Sequence, residues 1–298
     1  PGGCVRRCRQ TGVALVQVLL VTLIIILLVT QLSLTAADQV KRAQALQDRS
    51  QASLYLHSRE VAVLYSLLTE TMLPGQESSN PYAANWNFHG EPFVVDGLQL
   101  TLQDQSGLMR FPTYGVSDFE KLLPVLGLGS AEARSLAEHL AQWLGMTLPG
   151  GMRPGDAMMR GAAGGPVQYF GELKYLTGMD DQLYRQLAKL MTLYPTPGFN
   201  PLTAPVPLLR MRMPETTLRP LLEARRNNEL DQNRLWQVAR IGSEETIMPF
   251  VGPGVGVRIA GTFRGVSLRR HVVVGVEPYE RLPLIPWSRE RFASGIPK

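Results

Sequence analysis

Residues 13–37 read VALVQVLLVTLIIILLVTQLSLTAA and contain no charged residue. A helix needs about 20 predominantly apolar residues to cross a hydrocarbon layer of roughly 30 Å. The run therefore predicts a transmembrane helix. A cleaved secretory signal is the alternative, but its apolar stretch usually has about 7–15 residues and ends at a small-residue cleavage site. Residues 35–37, Thr-Ala-Ala, match such a site only weakly.

The charges on either side of this run predict its orientation. Arg6, Arg7 and Arg9 precede it without an acidic residue, whereas Asp38 and the basic pair at 41–42 nearly balance after it. The flank with excess positive charge usually stays in the cytoplasm. We therefore expect a single-pass membrane protein with a cytoplasmic amino terminus and the rest of the chain across the membrane. In a bacterium with two membranes, this means an inner-membrane protein with a periplasmic carboxy-terminal domain.

The distribution of helix-breaking residues predicts that the helix continues beyond the membrane. The chain has 28 glycines and 22 prolines, yet residues 13–73 contain neither, and Pro74-Gly75 then ends the pattern. The simplest interpretation is one nearly continuous helix, with residues 38–73 as its periplasmic part. A membrane helix that kinks near Asp38 before a separate amphipathic helix is the alternative.

The periplasmic part of the helix carries an apolar pattern. Val61, Leu64, Leu68 and Met72 recur at spacings of three and four residues, with Tyr65 beside them. Such spacing places apolar side chains on one face of a helix. We expect this face to cover a globular domain, and its excess to pack against partner helices.

Composition limits the possible functions. Hydrophobic residues make up 45% of the 298, which excludes a wholly disordered chain. The net charge is +5, but no aromatic residues alternate with the arginine-rich stretches, so no nucleic-acid site is predicted. Both cysteines, Cys4 and Cys8, lie at the amino terminus. The rest of the chain therefore has no disulfide framework and no cysteine-based metal site.

No catalytic constellation is evident in the sequence. The four histidines are dispersed, and neither a Gly-x-Ser-x-Gly elbow nor a Walker loop occurs. Residues 252–256, Gly-Pro-Gly-Val-Gly, precede a strand-like run rather than a helix, which favours a turn over a phosphate loop. Asp180 occupies an expected helix N-cap. The protein is therefore predicted not to be an enzyme and to have no catalytic or cofactor-binding residues.

The amino-terminal pattern resembles the type IV pilin and pseudopilin superfamily. A basic leader ends at Gly12, and an apolar helix begins at Val13. The resemblance implies that a prepilin peptidase cleaves after Gly12, removing residues 1–12, and that Val13 is then methylated. Position five of the mature chain would be Gln17, where most members carry glutamate. The K-type minor pseudopilins of the type II secretion system lack this glutamate and are unusually long, as this chain is.

Further motifs follow in the order found in the K-type family. Asp96-Gly97 predicts a hairpin turn between short strands. The other motifs are an Asp-x-x-Gly turn at 104–107, helical patterns at 117–126, 130–144, 169–176 and 180–190, an Asn-x-x-Thr-Ala segment at 200–204, a helix at 217–226, and alternating strands in the last third.

The resemblance implies an α+β, pilin-like fold with a long amino-terminal helix, an antiparallel sheet and an inserted all-helical domain. The expected boundaries are 1–12 for the leader, 13–37 for the transmembrane helix, 38–73 for its periplasmic continuation, 74–116 with 191–298 for the pseudopilin domain, and 117–190 for the helical insertion.

The resemblance also implies partners and a place in an assembly. These partners are the I-type and J-type minor pseudopilins, other pseudopilins, the prepilin peptidase and the inner-membrane assembly platform. The expected function is to initiate pseudopilus assembly from its tip for export across the outer membrane. A minor pilin of a type IV pilus and a signal-anchored periplasmic enzyme are the alternatives.

One expected family feature is missing from the sequence. K-type relatives often hold calcium through acidic residues just after the helix around Trp143. Here Asp156 is the only acidic residue between Gln142 and Gly171. Calcium takes 6–8 oxygen ligands, usually with several carboxylates. No metal is therefore predicted at this position.

Overall fold

The computed structural model describes residues 13–74, 77–111, 116–146, 167–227, 229–230, 232–238, 247–277 and 279–291. Their contacts divide them into two units. The smaller contains residues up to Tyr55 together with Arg264–Val266, and the larger contains Leu56–Phe263 and the residues from Ser267 onward.

The smaller unit consists mainly of the first part of helix α1, which spans Val13–Thr69. Its most apolar 18-residue window has a mean hydropathy of 2.7 and no buried residue. The hydroxyls of Thr22, Thr30 and Thr35 each donate to the carbonyl four residues earlier, at 2.8 Å. Such bonds satisfy polar groups where lipid offers no partner. By length and composition α1 can therefore anchor the chain in a membrane as a single span, and it is helical through Asp38.

In the larger unit, the end of α1 buries a different face from the predicted one. Leu56, Glu60, Val63 and Leu67 are at most 4% exposed. The predicted face is therefore covered only in part: Leu64, Leu68 and Met72 are half-buried, whereas Val61 and Tyr65 are exposed. Both faces are apolar in sequence. The packed face also carries Glu60, whose carboxylate reaches Arg270 on the sheet.

The uncovered part of this face is centred on Val61 and Tyr65. We call these two residues, with the half-buried Leu64 and Leu68 beside them, the outer stripe. Val61 is 50% exposed and Tyr65 is 64% exposed. The helix also ends four residues earlier than predicted, at Thr69 rather than residue 73. Helical geometry is disfavoured for the residue before a proline, here Leu73. The Leu73 carbonyl instead accepts a hydrogen bond from Trp86 Nε1 at 2.9 Å.

The larger unit contains a five-stranded sheet of order β1-β2-β5-β6-β7. Its strands are β1 (Phe93–Val95), β2 (Leu98–Asp104), β5 (Gly254–Phe263), β6 (Val266–Val276) and β7 (Leu284–Arg291). A second pair, β3 (Met109–Arg110) and β4 (Met191–Thr192), is parallel. The predicted turn joins β1 to β2, with Asp96 at φ 51° and Gly97 at φ 75°. These angles suit a two-residue hairpin, so this prediction is confirmed.

Strand register gives the sheet two different faces. Leu100 pairs with Ile259 and Leu102 with Val257, and these four side chains are buried. The alternate pairs are Thr101 with Arg258 and Gln103 with Gly256. Because side chains alternate along a strand, the second face is polar. Gly254 and Gly256 lie within β5, so the turn predicted for residues 252–256 already includes the start of a strand.

The helices that lie between β3 and β4 in the chain share a core. They are α2 (Ser117–Val125), α3 (Ser130–Trp143), a 3₁₀ helix (Phe170–Tyr175) and α4 (Asp181–Leu187). Phe119, Leu122, Leu136 and Leu140 are at most 2% exposed in this core. Asp180 caps α4 as predicted, accepting from the Leu183 amide at 2.6 Å. The domain boundaries at 117 and 190 stay predictions.

A second helical cluster follows β4. It contains α5 (Val206–Arg212), α6 (Glu215–Arg226) and α7 (Gln232–Val238). Leu209, Leu218 and Leu221 are fully buried in it. Helix α6 begins two residues before the predicted Thr217, because Pro214 at its N-cap supplies a non-helical start to the turn.

A buried ion pair joins the end of α1 to β6. Glu60 is fully buried and accepts a hydrogen bond from Arg270, whose side chain is 11% exposed. We expect Arg270→Ala to lower the free energy of unfolding by about 3 kcal/mol, since it removes a cation facing a buried carboxylate. Urea titrations of the detergent-solubilised protein, followed by tryptophan fluorescence, measure this loss.

A double variant, Glu60→Leu with Arg270→Leu, serves as the control. Removing both charges leaves neither group stranded, so the double variant should be more stable than Arg270→Ala. If Arg270→Ala were as stable as the wild type, the pair would not contribute to holding α1 on the sheet.

Candidate functional site at the sheet–helix junction

Two of the three residues predicted for processing and anchoring, Val13 and Gln17, belong to the smaller unit. Gly12 lies outside the described residues. Val13 is the first residue of α1, and the Gln17 side chain is exposed in the apolar part of the same helix. Whether cleavage follows Gly12 therefore stays a prediction.

Two motifs that are distant in sequence meet at Asp104, which is fully buried. Its Oδ2 accepts hydrogen bonds from Asn200 Nδ2 and Thr203 Oγ1, both at 2.8 Å. Its Oδ1 accepts from the amides of Ser106 at 2.8 Å and Gly252 at 3.3 Å. The Asp-x-x-Gly turn and the Asn-x-x-Thr-Ala segment thus close the chain on either side of the helices between them.

Burial raises the pKa of Asp104, and the hydrogen bonds donated by Asn200, Ser106, Thr203 and Gly252 oppose that rise. A buried carboxyl that fills its lone pairs with four protein donors has little capacity left for a metal or a substrate. Asp104 is therefore a structural centre of the junction.

Close backbone approach explains the glycines around this centre. A Cβ at Gly107 would lie 2.5 Å from the Thr203 carbonyl oxygen, and one at Gly252 would overlap Ser106 Oγ. Neither position accommodates a larger residue without movement of the junction. The sequence pattern indicated a turn here and gave no sign of these contacts, because both partners are far away along the chain.

A second set of contacts links β7 to the segment after β4. Trp287 lies at a register shift between β6 and β7, where bulges re-aim side chains. Its ring stacks on Tyr194, with centroids 5.4 Å apart. A Cβ at Gly254 would lie 2.5 Å from this indole, and one at Gly275 would lie 2.9 Å from it. The absence of a side chain at Gly254 and at Gly275 thus leaves room for the Trp287 ring on the sheet.

A cleft of about 840 Å³ opens between the polar face of the sheet and the helical segment. The sheet contributes Thr101, Gln103, Arg258 and His271 to one wall. The segment between Val167 and Tyr194 contributes the other wall. Sequence reasoning missed this cleft because its two walls come from residues about 70–100 positions apart. On the facing side lie Tyr169, Phe170, Tyr184, Lys189 and Tyr194.

His89 lines the same cleft, and its pKa is lowered to about 4. Desolvation by burial is the main cause, and the nearby charge of Arg225 adds to it. The imidazole is therefore neutral well below pH 6.5. It belongs to the polar lining and supplies no positive charge.

This shift predicts an acid dependence of stability. Because the folded-state pKa lies below the unfolded value of 6.5, the unfolded chain binds a proton first as the pH falls. We expect about 3 kcal/mol of unfolding free energy to be lost between pH 6.5 and pH 4, with no further loss from this group below pH 4. Urea titrations across that range measure it. A His89→Gln variant should show a flatter profile, and parallel profiles for the two proteins would contradict the assignment.

Arg225 lies in the helix predicted at 217–226 and links α6 to the junction. It donates to the carbonyl oxygens of Ala204 and Pro201, both at 2.9 Å. Burial lowers the pKa of Arg225 to about 10, which the negative charge of Glu91 opposes. The guanidinium stays charged at neutral pH and fixes the Asn-x-x-Thr-Ala segment against α6.

The described residues contain no group of three or more histidine, cysteine, aspartate or glutamate side chains placed to hold a metal. Much of the segment in which a calcium site was predicted to be missing, including Asp156, lies outside the described ranges. The absence of that site therefore stays a prediction.

Comparisons with known proteins agree with the architecture. The family model described as "Type II secretion system (T2SS), protein K" matches residues 100–196, from within β2 to just beyond β4. A comparison with curated protein sequences gives no match.

A solved structure has a similar fold. A chain of "The Crystal Structure of the GspK-GspI-GspJ complex from enterotoxigenic Escherichia coli Type 2 Secretion System" aligns with a TM-score of 0.55 and 17% identity, covering 85% of this chain and 100% of that one. The predicted α+β, pilin-like fold is thereby confirmed. The match over residues 100–196 confirms the predicted resemblance as well: this chain is similar to the K-type minor pseudopilins, the protein K family of the type II secretion system.

Proposed function

We propose that the protein is a non-enzymatic minor pseudopilin that joins I-type and J-type partners at a pseudopilus tip and initiates assembly of the fibre. The observation that carries this proposal is α1, a membrane-length apolar helix that continues as a helix into a region with an uncovered apolar stripe. The protein K match over residues 100–196 and the similarity to a chain of the solved GspK-GspI-GspJ complex support it.

The outer stripe supplies the surface for partner helices. Val61 and Tyr65 lie one turn apart and are half or more exposed, and Leu64 and Leu68 flank them. Exposed apolar residues at spacings of three and four are what helix-to-helix packing uses. An enzyme on a membrane anchor would have no need of this uncovered stripe.

Orientation and compartment follow from the charge of the leader. Arg6, Arg7 and Arg9 precede the apolar helix, and the positive-inside rule supports a cytoplasmic amino terminus with the sheet and its helices in the periplasm. Gln17 suits a tip position, because a terminal subunit has no neighbour above it whose amine a glutamate would neutralise.

Co-purification tests the proposal. The wild-type protein, expressed with its I-type and J-type partners, should purify as a complex. A Val61→Glu, Tyr65→Glu variant should retain less than a tenth of the partners, since a carboxylate buried in a helix interface lacks compensation. Quantitative mass spectrometry of the purified complex measures the ratio.

Gln44→Glu is the matched control, because residue 44 is exposed on the same helix, on a different face and more than four turns before the stripe. This variant should keep its partners. Loss of partners from the control as well, or full retention by the stripe variant, would contradict a role of the stripe in assembly.

A further inference from the structure

The cleft at the sheet–helix junction has the dimensions of a binding site. Its volume of about 840 Å³ lies within the range of about 300–1,000 Å³ typical of ligand pockets. A second cavity of about 400 Å³ shares Tyr184, Ala188, Lys189 and Arg258 with it. The two cavities adjoin at these shared residues, and we call them together the channel.

The charge of this channel has one sign. Arg185, Lys189 and Arg258 line it and are exposed, and none of its described lining residues is aspartate or glutamate. The chain has 30 basic and 25 acidic residues, so composition alone does not produce such a lining. Glu172, next to the channel wall, is engaged by the amides of Gln168 and Tyr169 at 3.1 Å. Low-dielectric walls around like charges concentrate the attraction for anions.

Aromatic rings form both walls of the channel. Phe170 and Tyr184 pack against each other on the helical side, with centroids 5.9 Å apart. On the sheet side Trp287 lines the channel, and its ring stacks on Tyr194 of the facing segment. Rings fixed by such pairs offer rigid apolar area with little entropy to lose on binding.

We propose that this channel binds an extended acidic segment of a partner polypeptide. Its carboxylates would meet Arg185, Lys189 and Arg258, and an apolar or aromatic side chain would enter between the aromatic walls. Two adjoining cavities of this size, lined by both cations and rings, favour a peptide over a single small anion. Among the described residues, none of those in α1 lines the channel, so this site is independent of the helix surface on which the proposed assembly role rests.

Isothermal titration calorimetry with the full-length protein in phosphatidylcholine nanodiscs tests this site. The probe is an unlabelled hexapeptide of alternating glutamate and tyrosine. We expect saturable one-to-one binding that weakens as the salt concentration rises. An Arg185→Ala, Lys189→Ala variant should bind at least tenfold more weakly with an unchanged melting temperature, because both side chains are exposed.

Arg219→Ala is the matched control, an exposed arginine on α6 that does not line the channel, and its affinity should stay within twofold of the wild type. Three results would overturn the proposal. They are equal binding of a peptide with glutamine in place of glutamate, equal weakening by Arg219→Ala, and the absence of saturable binding. Displacement of the peptide by free glutamate at matched carboxylate concentration would overturn the choice of a polypeptide as the occupant.

Discussion

An Asp104→Ala variant is expected to lose at least about 4 kcal/mol of unfolding free energy. The substitution removes the acceptor of four hydrogen bonds, and the amides of Ser106 and Gly252 then stay buried without this partner. An unsatisfied buried donor costs about 1–3 kcal/mol. Urea titration of the purified protein gives the global loss. Hydrogen exchange should show faster exchange at both amides than in the wild type.

Two variants separate this effect from the loss of a charge. Asp104→Asn keeps one acceptor oxygen but turns an amide group toward two donors, so it should lose about half as much stability. Asp181→Ala removes an exposed carboxylate in the first turn of α4 and should cost less than about 1 kcal/mol. An Asp104→Ala protein as stable as the Asp181→Ala protein would mean that the junction does not depend on this carboxyl.

Features coded by local sequence could be predicted. The long helix follows from the absence of glycine and proline between residues 13 and 73, and the Asp96-Gly97 turn from the positive φ angles that glycine and aspartate tolerate. The N-cap at Asp180 likewise depends only on the next three residues. In each case the stabilising contact is made within a few positions of the residue that reveals it.

Features that depend on distant partners could not be predicted. The apolar pattern predicts burial of Val61 and its neighbours, but both helix faces are apolar. The face that packs is the one whose Glu60 bonds Arg270, some 210 positions away. The glycines at 252 and 254 predict a turn, whereas contacts with Ser106 and Trp287 are what require them. Long-range packing thus decides between patterns that are locally equivalent.

The candidate sites show the same division. Gly12, Val13 and Gln17 are predicted from a basic stretch that adjoins an apolar helix in sequence, and their roles stay predictions. The two motifs that meet at Asp104 are each recognisable, but nothing in either shows that they bond to each other. The basic channel has no sequence signal at all, since its cations come from α4 and its neighbouring turn and from β5, which only the fold brings together.

Replacing Gly12 with valine is expected to abolish processing of the amino terminus. The resemblance to pilins and pseudopilins implies a peptidase that cuts after this glycine, where a bulky β-branched side chain would not fit the same backbone path. The wild-type protein, expressed with the prepilin peptidase, should begin at a methylated Val13. Its net charge should also fall from +5 to +2, since Arg6, Arg7 and Arg9 leave with the leader. Intact-mass and amino-terminal peptide spectra measure both changes.

The matched control is Gly3→Val, which makes the same change at a glycine that is not directly adjacent to the helix. It should be processed like the wild type. Unprocessed Gly12→Val should also fail to join the I-type and J-type partners stably. The retained arginines would keep the start of α1 at the cytoplasmic interface, so the helix could not leave the membrane for the fibre. A wild-type protein that keeps its leader in the presence of the peptidase would contradict the pseudopilin assignment. A Gly12→Val protein cut at the usual place would show that the peptidase does not read this glycine.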